Sequence, residues 1–410
     1  MARLRGFMTL TKVEDARKKF LESTHVTEKR HEMTAAFDAL WRHAATDIRA
    51  EEDVPAFNRS AMDGYALHSA DTTGASTTNP VTLKLTDRDP VERGRAKKVW
   101  TGSPIPRNAD SVVMLEHAKE RDDGILVMMQ AFPTMNVSRR GEDWKRGDTI
   151  VRKGSRLRPQ DIGAIISAGA LTIEVFKKPR VSILSTGDEL VEYGKRPKSG
   201  QIVDSNKIVL GHMVREVGGE PLNLGIARDQ VDEIVAKLKV GLETCDLVLT
   251  TGGTSTGHSD LVIDACKQLG DPGLIVHGVA LRPGRPTGLV SIHGKPIITL
   301  PGNPAACMIG FEFFARPLIQ IMLGTHEERP IVKAKLTRRI PSTLGQRTIA
   351  RVRIFEKEGQ LFADPIATSG AGLLMPMVRA NGYVEIAEDV EGLEEGREVQ
   401  VKLWSGVETR

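Results

Sequence analysis

The sequence has 410 residues, with 57 lysines and arginines against 53 aspartates and glutamates. Hydrophobic residues make up 40% of it and charged residues 27%, which is typical of folded globular chains, and the length predicts two to four domains. A net charge of +4 on this length argues against nucleic acid or a membrane surface as the partner.

The cysteines and the N-terminus point to a reducing compartment. Cys245, Cys266 and Cys307 stand far apart and show no C-x-x-C spacing, as small buried residues of a reduced protein do. The first 20 residues turn charged before any apolar run is long enough for a signal peptide or a membrane span. The sequence therefore predicts a soluble cytoplasmic protein.

The residue pattern changes twice within the first 180 residues. Apolar residues recur at helical spacing in TLTKVEDARKKFL and again in MTAAFDALWRHAA, which predicts one or two N-terminal helices. Between residues 58 and 150, short β-prone runs such as VTLKL and GILVMMQ alternate with Gly, Pro, Asp and Asn, which predicts a β-rich domain. The stretch RPQDIGAIISAGA then predicts another helix.

Predicted strands and helices alternate regularly from Val181 to Gly324. The predicted strands are RVSILST, EPLNLGIA, DLVLTT, GLIVHGVAL and KPIITL, and the predicted helices begin at SNKIV, DQVDE, SDLVI and PAACM. This alternation predicts an α/β domain with a mostly parallel sheet covered on both faces. After Pro330, short alternating runs predict a C-terminal β domain.

Unusual motifs follow the predicted strands of the α/β domain. In an open parallel sheet, ligands bind beyond the carboxyl ends of the strands, where loops and helix N-termini converge. One rim of the predicted sheet therefore collects STGDEL with Asp188 and Glu189, ARDQ with Asp229, TTGGTSTGHSD ending at Asp260, LRPGRP with Arg282 and Arg285, and LPGNP.

This rim has the composition of a phosphate or oxyanion site. Glycines let backbone amides approach a ligand, hydroxyls and arginines bind its oxygens, and a hard cation such as Mg²⁺ would offset the repulsion between the carboxylates and an anion. The glycines are Gly252, Gly253 and Gly257, and the hydroxyls belong to Thr251, Thr254, Ser255 and Thr256. Neither a P-loop nor a G-x-G-x-x-G fingerprint is present, which disfavours a Walker ATPase and a dinucleotide enzyme.

Each motif also has an ordinary structural interpretation. A glycine and threonine loop is commonly a strand-to-helix turn, here with Ser259 or Asp260 as the N-cap. Asp188 could simply cap a turn, and Arg282 or Arg285 could lie on a solvated face. Because five such loops are predicted on one rim, we favour the functional interpretation.

At these residues the chain resembles a known family. The motifs SAMDGYA, TGSPIP, RRGED, STGDEL, DSN, TTGGTSTGHSD, RPGRP, LPGNP, TSG and ANGY occur in the order found in the molybdopterin molybdenumtransferases, which include MoeA and the E domain of gephyrin. The matches extend from about residue 33 to the C-terminus, although single pieces such as TGG are shared with the MogA and CinA relatives.

The resemblance implies a four-part homodimer with an active cleft between the α/β domain of one subunit and the inserted domain of the other. The parts are a mixed linker and dimerisation region (1–57 and 151–178), an inserted β-rich domain (58–150), a MogA/MoaB-like α/β molybdopterin-binding domain (179–326) and a C-terminal β barrel-like domain (327–410). It also makes the molybdopterin adenylyltransferase a candidate partner.

The resemblance further implies a reaction in which adenylylated molybdopterin and molybdate, or tungstate, yield the metallated pterin and AMP. Glu189, Asp229 and Asp260 would bind Mg²⁺ or position the pyrophosphate, and Asp63, Thr101 and Asp143 of the partner subunit would place the pterin or the oxyanion. The cofactor-binding positions would be Gly252, Gly253, Thr254, Ser255, Gly257, Arg282, Arg285, Pro301, Pro304 and Ser369. Lysine is more usual at the two arginine positions, and the spacing around Arg351 departs from the family pattern.

Two alternatives stay open. A molybdopterin adenylyltransferase of the same α/β superfamily would make adenylylated molybdopterin from ATP, but a lone α/β domain suffices for that reaction. A non-catalytic scaffold could bind pterin or a partner protein, yet it has no reason to gather carboxylates on one rim.

Overall fold

The computed structural model describes residues 10–28, 30–252, 261–367 and 371–409. It divides the chain into two compact units, one formed by residues 1–32 with 176–410 and the other by residues 33–175. In the larger unit, one helix covers Val13–Ser23, followed further along the chain by a six-stranded sheet with its helices and by a C-terminal barrel.

The six-stranded sheet, called the central sheet below, is built as the strand and helix alternation predicts. Four strands are parallel, in the spatial order Glu220–Ala227, Arg180–Thr186, Leu247–Thr251 and Lys295–Leu300. Three helices follow the strands Arg180–Thr186, Glu220–Ala227 and Leu247–Thr251, respectively: they cover Asn206–Val217, Val231–Thr244 and Leu261–Lys267. A continuous helix follows the strand Lys295–Leu300 and covers Pro304–Met322, with a π-helical turn at Phe311–Ala315. The predicted mostly parallel sheet is confirmed.

One edge of the central sheet differs from the prediction. The strand Gly288–Ile292, which periodicity did not predict, pairs antiparallel with Lys295–Leu300 and with Pro272–His277. The turn between Gly288–Ile292 and Lys295–Leu300 consists of His293 at φ 51° and Gly294 at φ 79°. Two successive left-handed residues are what tight hairpins favour. The predicted strand GLIVHGVAL is also too long, because Pro272–His277 ends early and Leu281–Arg282 pairs with the barrel.

The core of the central sheet is aliphatic on the face that carries helices Val231–Thr244 and Leu261–Lys267. Leu184, Val248 and Ile297 of three adjacent strands pack with Ile234 and Leu238, and all five are at most 1% exposed. Each fully buried Leu or Ile of this kind stabilises the fold by about 1.5–3 kcal/mol. This packing fixes the strands and therefore the loops at their carboxyl ends.

The C-terminal β region closes into a five-stranded barrel, which confirms the predicted barrel-like domain. Its strands pair in the order Arg347–Lys357, Gln360–Ala367, Ile331–Leu336, Glu398–Leu403 and Gly382–Ile386. The barrel closes because the last of these strands pairs again with the first. Alternate residues such as Ala350, Val352 and Ile354 fill its core. A short helix covers Met375–Arg379, and shorter strands lie at Ile340–Pro341, Gly392–Leu393 and Glu408–Thr409.

The unit of residues 33–175 contains two cores. Its mixed sheet has the strands Gly64–Leu67, Val81–Leu85, Arg95–Val99, Ser111–Met114, Ala118–Arg121 and Gly124–Val127. A second core joins residues 36–48 to 151–175 around the helix Pro159–Ser167, which the sequence predicted. Short strands lie at Ile48–Arg49, Arg59–Ser60, Val137–Ser138 and Thr149–Val151, and the strands His31–Ala35 and Thr172–Phe176 pair with each other.

The second predicted N-terminal helix is wrong. The stretch MTAAFDALWRHAA forms the end of strand His31–Ala35, a single 3₁₀ turn at Ala36–Asp38 and extended chain. Its amides bond across the unit and not along a helix, with the Ala36 amide donating to the Leu171 carbonyl at 2.9 Å and the Trp41 amide to the Leu157 carbonyl at 2.8 Å. Tertiary pairing has overridden the local periodicity.

Candidate functional site

A cleft of about 470 Å³ opens at the carboxyl ends of the central sheet. Thr186, Thr251 and Pro301 line it at the ends of three adjacent parallel strands. The other lining residues are Glu189 and Leu190, residues 202–206, Gly252, Pro286, residues 302–304 and Gly372. The cleft therefore lies where the strand and helix alternation predicts a ligand site.

Gly252 allows the strand Leu247–Thr251 to turn tightly beside its neighbour. Its φ is +99°, and a Cβ added there would lie 2.1 Å from the carbonyl oxygen of Thr186. Any other residue would have to displace the backbone of the adjacent strand end. Gly302 approaches from the other side, where an added Cβ would lie 3.5 Å from the Gly252 Cα, so backbone rather than side chains forms this wall.

We expect Gly252→Ala to destabilise the protein by about 1–3 kcal/mol and to raise the KM for a ligand of the cleft at least tenfold, because the strand ends must separate. Urea unfolding and steady-state kinetics measure the two effects. Gly345→Ala is the matched control, since Gly345 has a φ of +80° but no atom lies within 4 Å of the added Cβ. Equal effects of the two substitutions on KM would show that the close approach at Gly252 has no role.

Asn206 ties the cleft together. Its side-chain amide donates to the Gly302 carbonyl at 2.7 Å and to the Thr251 hydroxyl at 3.1 Å. It thus joins the start of helix Asn206–Val217 to two loops of the rim. The DSN motif contains this residue, but the sequence assigned it no function, because its partners lie 45 and 96 residues away along the chain.

Asn206→Ala should lower the free energy of unfolding by about 1–2 kcal/mol and raise the KM several-fold, because two rim loops lose their common donor. Asn223→Ala is the control, since the Asn223 side chain only accepts a local bond from the Gly225 amide. A KM unchanged by Asn206→Ala would contradict a role of this amide in shaping the cleft.

Buried hydroxyls near the rim have no hydrogen-bond partner within the described residues. They belong to Ser185, Thr186, Thr250 and Thr299, each at most 1% exposed. Thr186 is among the residues that line the cleft, but its hydroxyl oxygen is itself buried. An unsatisfied buried hydroxyl costs about 1–3 kcal/mol.

Two predicted carboxylates, Glu189 and Asp229, occupy neighbouring loops of the rim. The Glu189 carboxylate lies against Gly187, where an added Cβ would be 2.6 Å from Oε2. Asp188 holds the loops together, because its Oδ1 accepts the Asp229 amide at 3.3 Å. Both predicted carboxylates are exposed, and among the residues described neither forms an ion pair.

Asp204 and Lys207 add a charge cluster that the sequence did not predict. The Lys207 ammonium lies 2.9 Å from a Glu192 oxygen and 3.4 Å from Asp204 Oδ2, and Asp204 is 3% exposed. Burial of this pair beside the cleft fixes the loop that carries Asn206. Among the residues that the structure describes, no three His, Cys, Asp or Glu side chains are grouped as a complete metal site.

The predicted arginines lie apart from the cleft lining. Arg282, which is half-buried, donates to the Thr343 hydroxyl, and Arg285 is exposed. Arg351 is fully buried, and its burial, with a smaller contribution from the Arg282 charge, lowers the pKa of its guanidinium to about 10. Arg282 belongs to the strand Leu281–Arg282, which pairs with the barrel strand Arg347–Lys357 that contains Arg351.

The unit of residues 33–175 brings two predicted residues together. Asp63 Oδ1 accepts hydrogen bonds from both the amide and the hydroxyl of Thr101, each at 2.7 Å. These two bonds hold the pKa of the Asp63 carboxyl below its usual range, so it is charged at neutral pH. Asp143 lies in a separate turn of this unit, where its amide donates to the Val54 carbonyl at 3.0 Å.

Pro301 and Pro304 line the cleft as predicted, and Pro304 begins the helix Pro304–Met322. Length and hydropathy would let this helix span a membrane, but 78% of the relevant window is buried inside the protein. The remaining predicted site residues lie outside the described part of the chain. These are Gly253, Thr254, Ser255, Gly257, Asp260 and Ser369.

The fold and the cleft define a multidomain protein whose α/β domain has a cleft at the carboxyl rim of its sheet. Three family models match in chain order. They are the MoeA N-terminal region (domains I and II) over residues 11–169, a "Probable molybdopterin binding domain" over 182–321 and the MoeA C-terminal region (domain IV) over 333–404.

Relatives of similar length share this organisation. The molybdopterin molybdenumtransferase of Bacillus subtilis is 33% identical over 91% of this chain and 89% of its own, and molybdopterin molybdenumtransferase 2 of Mycobacterium tuberculosis is 34% identical over 87% and 90%. The solved molybdopterin biosynthesis MoeA protein of Pyrococcus horikoshii is 33% identical, with a TM-score of 0.81 over 97% of this chain and 100% of that one. The chain belongs to the molybdopterin molybdenumtransferase family, a family of transferases in molybdenum cofactor biosynthesis.

Proposed function

We propose that the protein inserts molybdate or tungstate into adenylylated molybdopterin, with magnesium-dependent release of AMP. The observation that carries this proposal is the cleft at the carboxyl rim, which is lined by the ends of three parallel strands, by residues 302–304 and by Glu189. The protein would work as a cytoplasmic homodimer, with the molybdopterin adenylyltransferase as the partner that supplies its substrate.

The chemistry brings two anions together. An oxygen of the oxyanion attacks phosphorus, the phosphoanhydride P–O bond breaks, and AMP leaves. The attacking oxygen stays on phosphorus and a second oxygen leaves as water with the two dithiolene thiol protons, so that the two sulfurs replace these oxygens on the metal. Donors must hold both anions, and the amides and hydroxyls of the glycine- and threonine-rich segment that begins at Thr251 would supply them.

The rim residues fit magnesium. Glu189 and Asp229 are carboxylates without an ion-pair partner among the residues described, and hard oxygen donors are what this cation prefers. We propose that these two, with Asp260, bind it. Bound Mg²⁺ would supply positive charge that offsets the phosphate oxygens.

Exposed apolar side chains support the proposed homodimer. In the part of the smaller unit built from residues 33–57 and 151–175, exposed apolar residues are unusually frequent. They are Met33 at 64% exposure, Phe37 at 69%, Leu40 at 42%, Trp41 at 47%, Phe57 at 47%, Ile166 at 45% and Leu171 at 76%. A second copy of the chain covering this surface would remove these side chains from water.

The test is AMP release from adenylylated molybdopterin by the purified protein. Release that requires molybdate or tungstate supports the proposal. Consumption of ATP on free molybdopterin would instead establish the adenylyltransferase, and pterin binding without either reaction would establish a scaffold. The domain organisation already weighs against the adenylyltransferase, because a lone α/β domain suffices for that activity.

A further inference from the structure

Trp100 is a large aromatic residue in an unusual place. It directly precedes Thr101, it is 54% exposed, and it follows the strand Arg95–Val99. Tryptophan carries a large apolar ring that a protein normally buries, and an exposed indole beside polar catalytic candidates offers a flat surface to a ligand.

The turn that carries Trp100 is rigidly held. The Ser103 amide donates to the Trp100 carbonyl at 2.9 Å, and the Gly102 amide donates to the Ser60 carbonyl at 2.8 Å. Together with the two bonds from Thr101 to Asp63, these contacts fix the backbone on both sides of the indole. The exposed ring is therefore preorganised and loses little freedom when a ligand stacks on it.

One face of the indole is already occupied by a cation. The Lys98 ammonium lies 5.6 Å from the Trp100 ring centroid and 5.9 Å from that of Tyr65. Glu120 fixes this lysine with an ion pair of 2.8 Å and also accepts the Tyr65 hydroxyl at 2.6 Å. The ring is thus supported from one side, and a flat ligand has the opposite face.

The neighbouring carboxylate selects the kind of ring. Thr101 occupies only Oδ1 of Asp63, and a charged carboxylate accepts hydrogen bonds but cannot donate them. The 2-amino-4-oxopyrimidine edge of a pterin presents an adjacent amino group and ring N–H, which are both donors. Adenine pairs its amino group with an acceptor nitrogen, which a carboxylate would repel.

We propose that Trp100 is a positioning and specificity-determining residue that stacks on the pterin ring while Asp63 accepts hydrogen bonds from the pyrimidine edge of that ring. This inference rests on the proposed function and extends it, because it assigns the pterin rather than the adenine ring to this position. Met62, which precedes Asp63 and is 44% exposed, is a second apolar side chain beside the same pair.

The experiment compares Trp100→Ala, Trp100→Phe and Phe132→Ala in the full-length protein. Phe132 is the control, because it is another exposed aromatic of the same unit, at 62%, and belongs to a different loop from Asp63 and Thr101. We expect Trp100→Ala to raise the KM for adenylylated molybdopterin about tenfold to hundredfold, the usual loss when a stacking aromatic is removed, with kcat changed less than threefold. Trp100→Phe should recover most of the loss, and Phe132→Ala should behave as wild type.

A binding measurement identifies the ring without turnover. Quenching of the fluorescence of 6-hydroxymethylpterin reports pterin binding, and calorimetry with AMP reports adenine binding. Weakened pterin binding with unchanged AMP binding in Trp100→Ala supports the proposal, whereas weakened AMP binding or an unchanged KM overturns it. If the wild-type protein releases no AMP, the proposed function fails, but the pterin titration still judges Trp100 separately.

Discussion

Glu189→Gln should abolish most magnesium-dependent AMP release, with kcat lowered about 100-fold or more, while the protein stays folded. The substitution keeps the size of the side chain and removes its charge. Glu189 is exposed and forms no ion pair with any described residue, so folding does not depend on that charge. Its carboxylate lies against Gly187 at the rim, where we propose that it binds Mg²⁺.

The control for this substitution is Glu243→Gln. Glu243 is also an exposed glutamate of the larger unit, but it lies in the last turn of helix Val231–Thr244, which ends just before the strand Leu247–Thr251 begins. It therefore lies near the amino ends of the parallel strands, whereas the cleft lies at their carboxyl ends. Calorimetric titration with Mg²⁺ gives a readout besides activity, and unchanged Mg²⁺ affinity in Glu189→Gln would remove this residue from the proposed metal site.

Mixing two inactive variants should restore activity if the cleft uses residues of two subunits. Asp63 belongs to the unit of residues 33–175 and Glu189 to the other, and Asp63→Asn keeps an oxygen for Thr101 but removes the charge. In a mixed dimer of Asp63→Asn and Glu189→Gln chains, one of the two sites contains both wild-type residues. Half of the dimers are mixed at equal amounts, so activity should recover to about one quarter of wild type.

A double variant should inactivate both sites of a mixed dimer, whereas the two single variants together restore one. When the Asp63→Asn/Glu189→Gln chain is mixed with equal wild type, every site of a mixed dimer carries one substitution, so about one quarter of the activity remains. A cleft made within one subunit would leave about one half, and it would give no recovery with the two single variants. Size-exclusion chromatography with light scattering must first establish the dimer and the exchange of subunits.

Local sequence patterns predicted most of the central sheet, because its buried strands and amphipathic helices alternate without interruption. Strand Glu220–Ala227 covers the predicted EPLNLGIA to the residue. The pattern failed where partners distant in sequence decide the structure. The residues after Met33 have helical periodicity, but several of their amides bond to carbonyls within residues 155–174. The strand Gly288–Ile292 is short and buried between two others.

The sequence could predict those parts of the site that backbone conformation and short motifs determine. Gly252, Pro301 and Pro304 line the cleft as expected, because a strand end that approaches a neighbour requires glycine and the PGNP turn starts a helix. Asn206 was missed, since its importance depends on which loops the folded rim brings together. The roles of Glu189, Asp229 and the Asp63 and Thr101 pair stay predictions.

The measurement that tests the central claim most directly is AMP release from adenylylated molybdopterin, with and without Mg²⁺, in parallel titrations of molybdate and tungstate. We predict that release requires both the cation and one of the oxyanions, and that the two titrations rank the metals. Release that is independent of oxyanion, or no release together with ATP consumption on free molybdopterin, would contradict metal insertion as the function of this protein.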